Sequence, residues 1–168
     1  MKKLLLLFAI LTMGLGFAQE KPEIGVGMSK ERVKSAMAKL KSNIGTYNAW
    51  KYDWDLDVYS DAILLSFMDG DMEFDIRFNE RNEAENIKVW FYMPLPKGYT
   101  ATELIRAIGG AADSETVSEY GRPSYSNFNS ATWNRTIDTV TGRPMKLEMI
   151  LEGVGNKLKI YSKQTLIR

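Results

Sequence analysis

Two stretches of this chain, set 71 positions apart, read as copies of one pattern. Gly27-Met28-Ser29-Lys30-Glu31-Arg32-Val33 leads to Ala36 and Met37, and Gly98-Tyr99-Thr100-Ala101-Thr102-Glu103-Leu104 leads to Ala107 and Ile108. In each, a glycine precedes a hydroxyl residue suited to cap a helix, and apolar residues follow at helical spacing. The same offset returns downstream, where Ile87-Lys88-Val89-Trp90 aligns with Leu158-Lys159-Ile160-Tyr161. An offset that holds at a helix start and again at a strand predicts duplication of a whole helix-plus-sheet unit. Such a unit is stable only when the apolar stripe of the helix covers the apolar face of the sheet.

The segments between these landmarks alternate with the period of a strand. In Trp50-Lys51-Tyr52-Asp53-Trp54-Asp55-Leu56-Asp57-Val58 every even position is apolar and every odd one charged, which predicts a strand with one buried face. Ala62 to Met68 is a second strand, Asp69-Gly70 a tight turn, and Met72 to Phe78 an alternating third. After a polar loop, Ile87 to Met93 is a fourth. Pro94 to Gly98 reads as a linker.

A first helix is expected over 29–42, ended near Asn43 and Gly45, and a second is capped by Thr100 and broken at Gly109-Gly110. Asp113 to Tyr120 reads as a further helical piece and 124–130 as loop or weak strand. Strands are expected over Ala131–Ile137, Met145–Leu151 and Lys157–Lys163, with turns at Gly142-Arg143-Pro144 and Gly153-Val154-Gly155-Asn156. The predicted fold is α+β: two tandem modules, 19–95 and 96–168, each a helical segment packed on a three- or four-stranded antiparallel sheet.

The N-terminus reads as a secretory signal over 1–18. Met1-Lys2-Lys3 is a basic start, Leu4 to Leu15 an apolar run too short to span a bilayer comfortably, and Gly16-Phe17-Ala18 a small-residue cleavage site. The expected location is periplasmic or secreted. No Cys follows the apolar run, so a lipoprotein anchor is excluded, and an exported chain with no Cys must fold by packing alone. Removing Lys2 and Lys3 with the signal takes the net charge from +1 to −1. A near-neutral chain has no basic footprint for nucleic acid. No later segment is apolar for long enough to be an integral membrane span.

Gly27-Met28-Ser29, three further residues and then Val33, opening a helix that leads into an antiparallel sheet, resembles the repeat of the BamE-like (SmpA/OmlA) outer-membrane assembly lipoproteins. Two such units in tandem resemble the beta-lactamase-inhibitor-protein fold. Tyr120-Gly121-Arg122-Pro123 followed by Trp133 is similar to the Gly-x-Pro…Trp pattern after the helix in those families. The chain lacks the anchoring Cys of the first group and the disulfides of the second. The resemblance implies a fold and a habit of binding proteins through a sheet surface.

The catalytic inventory is thin. The chain has no His and no Cys, which removes the usual general base, the thiol nucleophile and the ordinary zinc ligands. No catalytic residue, metal site or cofactor is expected. Asp53, Asp55 and Asp57 share one face of a strand, at a spacing that suits a glycosidase pair or part of a calcium site, but alternation alone already accounts for them. Asp69, Asp71, Glu73 and Asp75 surround the predicted hairpin turn.

The aromatic residues are more informative. If Ile87, Val89, Phe91 and Met93 face the core, then Lys88, Trp90 and Tyr92 face the other way. If Leu158 and Ile160 face inward, Lys159 and Tyr161 face outward. Trp90 and Tyr161 are then equivalent positions, and Trp90, Tyr92, Tyr161, Lys88 and Lys159 form a candidate partner-binding surface. The expected function is that of an exported, non-enzymatic binding protein of the bacterial envelope holding a protein partner on this face. The alternatives are a carbohydrate-binding or carboxylate-dependent hydrolytic protein using Asp53, Asp55 or Asp57, and a small lipid or ligand carrier with its pocket between helix and sheet.

Overall fold

The computed structural model describes residues 24–46, 54–67 and 72–167. The expected signal over 1–18, the start of the first strand at 50–53 and the Asp69-Gly70 turn lie outside the described residues.

Helix α1 spans Lys30–Thr46. Strands β1 (Trp54–Val58), β2 (Ala62–Phe67), β3 (Met72–Phe78) and β4 (Ala84–Pro94) follow. Two short helices, α2 (Ala101–Ala107) and α3 (Ser114–Tyr120), precede β5 (Tyr125–Ser126), β6 (Ser130–Ile137), β7 (Pro144–Val154) and β8 (Lys157–Leu166). The eight strands form one antiparallel sheet in the order β1-β2-β3-β4-β8-β7-β6-β5. Each run of four strands is an up-and-down meander, and the two runs meet where β4 pairs with β8. The fold is α+β.

Local signals explain most of the elements. Ser29 accepts the first intrahelical bond of α1 through its carbonyl, from the Val33 N–H at 3.0 Å. The helix then runs through Asn43 and Gly45, past the expected stop, because neither residue is an absolute breaker. Thr100 caps α2 in a reciprocal box: the Glu103 N–H donates to Thr100 Oγ1 at 3.2 Å, and the Thr100 N–H donates to Glu103 Oε2 at 2.8 Å. Asp113 caps α3 by accepting the Thr116 N–H at 2.7 Å. The segment 124–130 contributes only the two-residue strand β5.

One expected turn is corrected. Gly153-Val154 continues β7, and the reversal is confined to Gly155-Asn156. Gly153 belongs in the strand because α2 lies over it: a Cβ there would sit 2.7 Å from the Ala101 methyl carbon.

The core lies between the sheet and the helices. Val33 and Met37 of α1 and Leu104 and Ile105 of α2 join one cluster with Ile63, Leu65, Phe74, Ile76, Ile87, Met93, Trp133, Met145, Leu147, Leu151 and Leu158. Each such side chain contributes roughly 1.5–3 kcal/mol by leaving water. Helix α3 buries no side chain fully, and its C-terminus is tied to the sheet instead. Trp133, 1% exposed, donates its Nε1–H to the Gly121 carbonyl at 2.8 Å, and Thr136 Oγ1 donates to the Tyr120 carbonyl at 2.9 Å. The Tyr120 and Trp133 rings meet edge to face, their centroids 6.3 Å apart.

The entry segment is bolted to the far hairpin. Asp138, 3% exposed, accepts N–H bonds from Val26 at 2.9 Å, Val140 at 2.8 Å and Thr141 at 2.9 Å. Thr141 Oγ1 donates to the Val26 carbonyl at 2.9 Å. Only glycine fits at position 25, where a Cβ would stand 2.4 Å from Asp138 Oδ1.

Candidate functional site

All three described helices pack on one face of the sheet, so the strand alternation delivers every second residue to a face that no described helix covers. On β4, Ile87 and Met93 are buried, Val89 and Phe91 pack against the core, and Lys88, Trp90 and Tyr92 belong to the opposite set. On β8, Leu158 is buried and Ile160 packs against the core, leaving Lys159 and Tyr161 on the helix-free side.

The ladder register brings the candidate residues together. Trp90 stands opposite Tyr161, Tyr92 opposite Lys159, and Lys88 opposite Lys163. Lys159 Nζ lies 5.8 Å from the centre of the Tyr92 ring and 6.0 Å from that of Tyr161, joining the two phenols through one cation. Burial pushes the Tyr161 phenol above its usual value, and the Glu148 and Asp75 carboxylates add to the effect, so the ring presents a neutral hydroxyl.

Two neighbours of this set were legible in the sequence but not read there. Ile150 lies opposite Tyr161 across β7–β8 and is 41% exposed. Its signal was the alternation itself, since Met145, Leu147, Met149 and Leu151 face the core. Glu73 lies opposite Trp90 across β3–β4. One cross-strand row therefore reads Glu73, Trp90, Tyr161, Ile150, Ser130.

The flanking row is charged and largely self-paired. Asp75 accepts from Arg77 Nε at 2.8 Å and lies 3.6 Å from Lys88 Nζ. Glu148 lies 2.9 Å from Lys146 Nζ and 4.0 Å from Lys163 Nζ. These partly exposed pairs are each worth about 0–1 kcal/mol, so their contribution is to frame the apolar row with a polar border rather than to hold the sheet.

Asp53 lies outside the described residues, Asp55 pairs with Ser66, and Asp57 with Leu64 on β1, the edge strand. The alternation there buries less than its pattern promises: Leu56 packs against the core, but Val58 is 44% exposed at the sheet edge. A half-open depression of about 270 Å³ lies on the same sheet, lined by Asp57, Leu64, Glu73, Asp75, Arg77 and Trp90, among others. It brings three carboxylates, from β1 and β3, to the side of Trp90. Asp69 and Asp71 lie outside the described residues. No described helix is long and apolar enough to cross a membrane.

No protein-family model, curated protein or solved structure matches this chain.

Proposed function

We propose that this protein is a non-enzymatic binding protein that holds a protein partner against the helix-free face of its sheet, on the row Trp90, Tyr161 and Ile150. The observation that carries the reading is the direct opposition of Trp90 and Tyr161, with Ile150 next in line. Aromatic side chains flanked by a row of paired charges match the anatomy of protein interfaces, in which a few apolar anchors dominate the energy and a polar border excludes water. The near balance of acid and base in the border favours a partner surface of mixed charge over a strongly acidic or basic one.

The reading includes a tandem build from modules 19–95 and 96–168. The sheet order, two four-strand meanders joined through their last strands, supports it. So does the register. Trp90 and Tyr161 are separated by 71 positions and face each other, so each pairs with its own repeat equivalent. The same offset exchanges Lys88 with Lys159 and Ile87 with Leu158. A local twofold through the Trp90–Tyr161 pair accounts for all three. This is in keeping with the resemblance to BamE-like and beta-lactamase-inhibitor-protein repeats, and with a chain exported to the periplasm or beyond.

The test is capture from a bacterial envelope extract by crosslinking, comparing the unmodified protein with a Trp90→Ala/Tyr161→Ala variant whose circular dichroism and unfolding midpoint show it folded. The reading expects a discrete partner that the variant fails to retain. Equal capture by the variant refutes it.

A second reading has one observation in its favour, the depression beside Trp90 lined by Asp57, Glu73 and Asp75. A sugar ring stacked on the indole, its hydroxyls donating to Glu73 and Asp57, suits that geometry. A glycan array separates the readings: carbohydrate binding that is lost in Glu73→Gln and Asp57→Asn supports the second, and no glycan binding removes it.

A further inference from the structure

The opposite face of the sheet carries a separate feature that the docking surface does not use. Between α1 and the C-terminal end of α3 the helical layer leaves a half-open cleft of about 540 Å³. This lies within the roughly 300–1,000 Å³ typical of small-molecule sites. Its floor is the core face of the central strands: Phe74 of β3, Ile87 and Val89 of β4, and Met145 of β7. Its walls are Ile24, Arg32, Glu119, Tyr120 and the Asp138–Val140 loop.

One polar residue interrupts the apolar floor. Gln164 of β8 lines the cleft, and its Oε1 is a buried acceptor with no donor among the described residues. Buried polar atoms are nearly always hydrogen-bonded, and leaving one unmet is costly, so an orphan at the foot of a cleft points to a donor that arrives from outside. Leucine there would extend the apolar floor without that cost.

The charges on the walls narrow the choice. Among the described lining residues Arg32 is one cation against the carboxylates of Glu119 and Asp138, so their charge is net negative. Asp138 already receives three N–H bonds from the chain itself. The remaining wall groups, the Thr139 and Tyr120 hydroxyls and the Glu119 carboxylate, are neutral or acidic. A fatty-acid or phosphate anion is disfavoured at such a lining, whereas a neutral group bearing a hydroxyl or amide N–H is welcome.

We propose that this cleft binds a neutral amphiphile, its apolar body seated on Phe74, Ile87, Val89 and Met145 and its hydroxyl or amide donor satisfying Gln164. The site is independent of Trp90 and Tyr161, which lie on the other side of the sheet.

The full-length chain is titrated by calorimetry with a medium-chain monoacylglycerol and, separately, with the fatty acid of the same chain length, both below their micelle concentrations. Saturable binding of the monoacylglycerol is expected, with the fatty acid weaker by roughly tenfold. Val140→Trp, at an exposed rim position that leaves the core untouched, is expected to lower monoacylglycerol affinity by roughly tenfold or more. Gln164→Leu is expected to fold with equal or higher stability and to lose roughly tenfold in affinity, the worth of one buried hydrogen bond. Trp90→Ala/Tyr161→Ala is expected to bind the monoacylglycerol unchanged, so failure here and failure of the docking surface are read separately. Absence of saturable binding, equal affinity for the fatty acid, or unaltered binding by Val140→Trp and Gln164→Leu overturns the proposal.

Discussion

Trp90 and Tyr161 face each other across the β4–β8 ladder at the middle of the sheet, where the two four-strand runs join. Cross-strand aromatic pairs of this kind are worth about 0.2–1 kcal/mol beyond the strands that carry them. A double-mutant cycle with Trp90→Ala and Tyr161→Ala, read by urea unfolding, is expected to return a coupling of that size. A coupling of zero means that the rings do not meet and removes the anchor of the proposed surface.

Asp138 joins the first described turn of the chain to the β6–β7 hairpin. Asp138→Ala leaves three N–H groups without their acceptor and is expected to cost about 2–4 kcal/mol. Gly25→Ala drives a methyl group into the carboxylate and is also destabilising. In the double variant the clash is gone, so the two losses are expected to be clearly less than additive. Strict additivity in chemical unfolding contradicts the close approach of Gly25 to Asp138.

Trp133→Phe keeps most of the buried ring but loses the bond to the Gly121 carbonyl, for an expected loss of about 1 kcal/mol. Trp133→Ala empties the site and is expected to cost about 3–5 kcal/mol. A Trp133→Phe midpoint equal to that of the unmodified protein argues that the indole N–H contributes nothing.

Two groups give the fold a pH signature. Hydrogen bonds from the Thr100 backbone and side chain hold the Glu103 carboxyl below its ordinary value of 4.5. A lowered folded value stabilises the ionised form, so this contribution is present above pH 4.5 and fades as pH falls through the lowered value. Glu103→Gln is expected to remove that part of the acid-side loss. Desolvation, aided by the Glu119 charge, raises the Tyr120 phenol above its ordinary value of 10.0. A raised folded value means that stability is full below pH 10.0 and declines as pH rises beyond it. Tyr120→Phe is expected to flatten the alkaline limb of a melting-temperature profile, and an unchanged limb contradicts the assignment.

The sequence made the faces legible and left the neighbours obscure. Period-two alternation separated Ile87, Val89, Phe91 and Met93 from Lys88, Trp90 and Tyr92, because a half-buried strand imposes that spacing on its residues directly. Helix caps at Ser29 and Thr100 were readable because they are contacts within a few residues. What depends on distant contacts was not. The burial of Asp138 follows from Val26, 112 positions away. The strand role of Gly153 follows from the approach of Ala101, and the orphaned Gln164 from the gap between α1 and α3. None of these leaves a local periodic trace.

The most direct test of the proposed docking face is a photocrosslinking amino acid placed at Ile150, beside Tyr161 on the helix-free side, and in a second protein at Lys34, on the exposed side of α1. In envelope extract the account predicts a discrete covalent partner adduct from position 150 that disappears with Trp90→Ala, and none from position 34. An adduct from position 34 alone, or one from position 150 that persists at full yield with Trp90→Ala, contradicts it.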